Sequence, residues 1–117
     1  MKSVQALAVA VLFLNASFAM AQEKFTPKFM DVPSDSKATY LILDKYDSDH
    51  FKIIITKREG SSGVTYSKRM YDCSASEVRY LGTGNTLSEL KLSTPDPKMT
   101  AIQPNSIAYF VGIEACK

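Results

Sequence analysis

Hydrophobic and polar positions divide the chain into an apolar leader, a polar arm, a series of short alternating segments and an apolar closing stretch. From Val4 to Leu14 about 11 residues run almost without a polar group, Lys2 stands ahead of them, and Ala19 and Ala21 precede Gln22. A basic start, an apolar core and small residues two apart form the pattern of a secretory signal peptide, predicting residues 1–21 as the leader with cleavage after Ala21. The run falls well short of the roughly 20 residues a membrane-spanning helix needs, so no integral membrane segment is expected once the leader is removed. Gln22 to Ser36 (QEKFTPKFMDVPSDS) holds two prolines, with Phe25, Phe29 and Met30 as its large apolar groups. It reads as an extended, partly ordered N-terminal arm, residues 22–36, ahead of a single domain over residues 37–117.

Within that domain β-forming residues cluster in short runs. Ala38 to Leu43 (ATYLIL) predicts a strand that breaks at Asp44-Lys45-Tyr46-Asp47-Ser48-Asp49, whose Asp and Ser side chains bond to nearby backbone and favour turns. In the next strand, Phe51 to Lys57, the residues Phe51, Ile53 and Ile55 alternate with Lys52, Ile54 and Thr56. Ile54 on the more polar side points to burial on both faces. A loop with two glycines, Glu59 to Gly63, joins this strand to a third, Val64 to Asp72, as a hairpin, and Glu77 to Leu81 adds a fourth after the short link Cys73 to Ser76. Consecutive strands with tight links make an antiparallel meander. Gly82-Thr83-Gly84-Asn85 reads as the turn that ends it, and Thr86 to Leu92 fits either a helical turn or a further strand. Ser93 to Pro104 reads as a long connection, because Pro95, Pro97 and Pro104 remove backbone donors.

The closing stretch changes period. Asn105 or Ser106 can cap a helix that runs on to Cys116, with Ile107, Phe110 and Val111 in one apolar stripe and Tyr109, Ile113 and Cys116 in another. A helix apolar on two stripes is expected under other structure or tight against a sheet. The predicted fold class is therefore α+β: an antiparallel β-meander sheet with a C-terminal helix tied to it by a disulfide.

The tie rests on cysteine usage. Cys73 and Cys116 are the two cysteines of a chain that carries an export leader, and an oxidising compartment favours a bridge between them. It would close a loop of about 44 residues, worth roughly 4 kcal/mol by chain entropy, a large share of a small domain's stability. Two cysteines and the lone His50 supply too few ligands for a closed zinc site. Composition adds bounds: 117 residues, 45% hydrophobic and 22% charged, describe one ordinary globular domain and exclude collagen-like, low-complexity and coiled-coil classes. Without Lys2 the mature chain has 13 basic and 12 acidic residues, a balance that gives no reason to expect a nucleic-acid partner.

Several features then coincide: a strand ending in Tyr71-Asp72-Cys73, the following Val78-Arg79-Tyr80-Leu81-Gly82, the segment Ile102 to Ile107, and a last helix ending in Ala115-Cys116. Over roughly residues 38–117 the chain resembles small exported bacterial proteins related to the surface-adhesin protein E family. The resemblance implies a mainly antiparallel sheet, a C-terminal helix held by a disulfide between Cys73 and Cys116 and, as in the family's best-known member, adhesion to host extracellular proteins. It carries over no binding segment.

Candidate chemistry is sparse. Asp44, Asp47, Asp49 and His50 offer oxygen and nitrogen ligands, but the spacing fails the calcium-loop pattern, since Phe51 takes the fifth position counted from Asp47. Ser34-Asp35-Ser36-Lys37 matches a Ser-x-x-Lys string without its companion motifs, and Gly82-Thr83-Gly84 has no third glycine and no phosphate-binding lysine. No catalytic residue, metal or cofactor is expected. Lys57, Arg58, Lys68 and Arg69, with Tyr66 and Tyr71, mix positive charge and aromatics on one hairpin and are the candidate partner-binding residues, although strand alternation parts Lys68 from Arg69. The chain is thus expected to be a non-enzymatic binding module of the bacterial periplasm or cell surface, taking a protein partner from the envelope or the host. The alternatives are an accessory periplasmic subunit of an envelope-spanning secretion or conjugation assembly and, with less support, a small hydrolase using His50.

Overall fold

The computed structural model describes residues 24–117; the expected leader and its cleavage site lie outside them. Among the described residues six strands form one antiparallel sheet in chain order: β1 (Lys28–Met30), β2 (Thr39–Ser48), β3 (Phe51–Gly60), β4 (Gly63–Asp72), β5 (Glu77–Gly84) and β6 (Thr100–Ala101). Two helices, α1 (Leu87–Leu92) and α2 (Ile107–Ala115), cover opposite faces of it. The fold is the α+β meander with a disulfide-held C-terminal helix.

Several boundaries differ from the pattern. The strand expected to stop at Leu43 continues to Ser48, and the turn shrinks to Asp49-His50, with Asp49 at φ 57°. Pairing along β3 overrides the turn preference of Asp44 and Asp47, and Asp tolerates the left-handed conformation where the chain reverses. The arm is not separate from the sheet: β1 pairs with β2 in register Lys28 to Ile42 and Met30 to Tyr40, and Val32 is buried behind it. Thr86 to Leu92 resolves as α1. Thr86 Oγ1 accepts from the Glu89 N–H (3.1 Å) and Glu89 Oε1 accepts from the Asn85 N–H (2.7 Å), a reciprocal cap. Gly82 and Gly84 lie in β5 and do not form a turn. A Cβ on Gly84 would stand 2.6 Å from Glu89 Cβ, and one on Gly82 2.9 Å from the Leu90 carbonyl oxygen, so these glycines supply room for α1 to rest on the strand.

The main core lies between the sheet and α2: Ile42, Ile54, Tyr71 and Val78 from the strands meet Val111 and Ala115, with Phe25, Met30, Ile102 and Ile107 around them. Ile53 is also buried, on the opposite side of β3 from Ile54. Ser106 caps α2 by accepting from the Tyr109 N–H (3.1 Å). The stripe of Tyr109 and Ile113 is not covered; these two are exposed, and the helix buries the Val111–Ala115 side instead. Small residues decide which side goes down, because Gly112 rests on the Tyr71 ring where a Cβ would sit 2.8 Å from Cε1. The buried Tyr71 hydroxyl donates to the Ala108 carbonyl at 2.6 Å. Cys116, the C-cap of α2, is bonded to Cys73 after β4 with Cα atoms 5.8 Å apart.

Cys73→Ser and Cys116→Ser should each lower the thermal midpoint, with the double variant no less stable than the weaker single one, because either change opens the same loop. Gly112→Ala should cost about 1–3 kcal/mol in denaturant unfolding by pushing α2 off Tyr71; an unchanged midpoint would show that the helix can slide to make room.

Candidate functional site

Strand alternation and two bulges set what each face presents. Leu43 is the extra residue of β2 between Ile42 and Asp44, and Leu81 the extra residue of β5 between Tyr80 and Gly82. On the α2 face the registers align Tyr40 with Arg58, Ile42 with Thr56, and Ile54 with Arg69. On the other face Lys57 opposes Tyr66 and Ile55 opposes Lys68.

The six candidate binding residues are therefore divided three and three. Arg58, Arg69 and Tyr71 belong to the α2 face. Tyr71 is in the core, with its hydroxyl pKa raised by burial. Arg69 is buried: Nη1 donates to Thr56 Oγ1 (3.0 Å), the guanidinium lies 4.7 Å over the Tyr80 ring, and Nε has no partner. Arg58 reaches the short 3-10 turn Pro33–Asp35, donating to Asp35 from Nε (2.6 Å) and Nη2 (3.2 Å), while the Tyr40 hydroxyl donates to the same carboxylate at 2.6 Å. Arg58, then Tyr40, hold the Asp35 carboxyl below its ordinary value; Tyr40 is pushed up to about 12 by burial and then by Asp35. This network closes the arm onto the sheet and occupies Arg58.

Lys57, Tyr66 and Lys68 remain on the opposite face as neighbours on adjacent strands, partly exposed. Phe29 (70% exposed) and Tyr46 (41%) are exposed large apolar groups of β1 and β2. At its β5 end α1 closes over this face, leaving a groove of about 620 Å³ lined by Ile55, Leu81, Leu87 and Leu90 together with Lys68 and Lys91. The hairpin pattern gives no hint of Lys91, which reaches the groove only because α1 folds back. The capping sequence Thr86-Leu87-Ser88-Glu89 is the signal that could have placed it on a helix.

The other candidates do not converge. Asp44 and Asp47 lie on opposite faces of β2, where Asp44 accepts from the Lys45 N–H (2.9 Å) and Asp47 pairs with Lys52 (2.9 Å). His50 Nε2 is 3.7 Å from Asp72, whose carboxylate accepts from Ser74 Oγ and the Ala75 N–H and is held below its ordinary pKa first by those bonds. Among the described residues no group of three or more His, Cys, Asp or Glu is placed to hold a metal. Ser34 lies exposed in the 3-10 turn, next to the ion-paired Asp35. Among the described residues no helix is long and apolar enough to cross a membrane. No family model, curated protein or solved structure matches the chain.

Because the folded Asp35 carboxyl titrates below its ordinary value of 3.8, its stabilising contribution is complete above about pH 4 and is lost as pH falls through the lower, folded-state value. Asp35→Asn should lower stability at pH 7 and flatten its decline below pH 4, as read by denaturation midpoints between pH 2 and 7. An acid limb of unchanged slope would mean that other carboxylates govern it.

Proposed function

We propose that the protein is an exported, non-enzymatic binding module of the bacterial envelope or cell surface, and that it presents the sheet face opposite α2 to a protein partner. One observation carries this reading: the α2 face is filled by core and closed ion pairs, whereas the opposite face leaves Lys57, Tyr66 and Lys68 in one cluster without an ion pair among the described residues. Tyrosine provides large contact area at low conformational-entropy cost and is enriched among the anchors that dominate binding energy at interfaces, and the lysine stems beside it add apolar contact. The disulfide and the leader-like start are compatible with export. The resemblance to the surface-adhesin protein E family supports the same placement.

Affinity capture with the processed, oxidised protein against a cell-envelope extract and a panel of host matrix proteins tests the reading. The combined Lys57→Glu and Tyr66→Ala variant should weaken capture of the specific partner about tenfold or more, and Lys37→Glu, in the turn before β2, should leave it unchanged. Equal capture by all three proteins would remove the proposed face, and no specific partner from either source would overturn the binding-module reading.

A further inference from the structure

The groove beside α1 has its own chemistry, independent of any protein partner. Its floor is Ile55 of β3 and Leu81 of β5, its wall is Leu87 and Leu90 of α1, and Lys68 and Lys91 reach it from two different elements. At about 620 Å³ it falls within the range of small-molecule sites, which are mainly apolar with a few placed polar groups. No carboxylate lines it, and neither lysine forms an ion pair among the described residues. The nearest acidic side chain on the helix, Glu89, is engaged with the Asn85 N–H. Two uncompensated ammonium groups beside an apolar floor match a ligand with a hydrocarbon body and a single negative head. A phosphate dianion is served less well, because no arginine lines the groove and the helix start is already capped by Thr86 and Glu89.

We propose that this groove binds a free aliphatic carboxylate, with the alkyl chain on Ile55, Leu81 and Leu90 and the carboxylate between Lys68 and Lys91. Gly82 and Gly84 make the site, since any larger residue there would lift α1 and open the groove. Leu87 at the rim is half exposed and would be covered by the chain.

The test titrates the processed, oxidised protein with dodecanoate, dodecyl maltoside and dodecyltrimethylammonium, each below its micellar concentration, following amide shifts by NMR. These probes share a chain and differ in head charge. Dodecanoate should give saturable shifts confined to Ile55, Lys68 and Leu87 to Lys91, and bind about tenfold tighter than the other two. Lys91→Glu, on the exposed side of a capped helix, should remove that preference, Lys91→Gln should reduce it, and Lys37→Glu should preserve it. Equal affinity for the three probes, shifts centred elsewhere, an absence of saturation, or a Lys91→Glu protein that binds dodecanoate like the parent would each overturn the assignment. None of these outcomes depends on whether a protein partner is captured.

Discussion

Tyr71 is the contact on which the arrangement of helix and sheet depends. Its ring fills the centre of the α2 face, and a buried phenol must find an acceptor or forfeit the free energy of its lost hydration. The Ala108 carbonyl supplies one, and it can do so only because α2 comes close enough for Gly112 to lie against the ring. The disulfide then holds the far end of the helix to the link that follows the same strand. With α2 fixed by a hydrogen bond, a glycine contact and a covalent bridge, that face of the sheet is core, and the proposed contact surface is the other.

The two bulges do comparable work. Because side chains alternate, one extra residue transfers everything beyond it to the other face. Past Leu43, Lys45 arrives on the α2 face, where its Nζ donates to the Glu114 carbonyl (2.8 Å) at the negative end of the helix. Lys28 and Lys117 lie 3.5 and 2.8 Å from the Glu114 carboxylate, whose pKa is lowered chiefly by Lys117. Past Leu81, Gly82 and Gly84 turn toward α1 and admit it. The helix cap on one side and the groove on the other both follow from single inserted leucines.

Charge is consequently distributed unevenly. On the α2 face Asp35 answers Arg58 and Glu114 answers Lys28 and Lys117, while Arg69 rests on Thr56 and the Tyr80 ring. On the opposite face Lys57, Lys68 and Lys91 have no carboxylate partner among the described residues. On a chain with nearly balanced formal charge, pairing thus leaves these three lysines free beside apolar side chains, on a face that also carries Asp44 and Glu59, and both the proposed protein contact and the proposed carboxylate site draw on them.

Much of the architecture was legible in local pattern. Ile53 and Ile54 on successive positions announced a strand buried on both faces, the two cysteines announced the bridge, and Pro104 followed by Asn105-Ser106 marked the start of α2, because period, cysteine count and capping chemistry act over a few residues or through a single covalent choice. The candidate site was half legible. Alternation already parted Lys68 from Arg69, yet nothing local shows that Asp35 comes from 23 residues away to occupy Arg58, that Tyr71 lies under a helix, or that Lys91 joins Lys68. Gly82 and Gly84 looked like turn residues because a glycine needed for close approach and one needed for a turn leave the same mark in a sequence. Period, capping and cysteine count determined which elements form and what tethers the last helix. Beyond the sequence-local pairs Lys52–Asp47 and Lys117–Glu114, which cations are neutralised and which stay free was decided by long-range packing, since an ion pair depends on distance in space and the chain records only distance along itself.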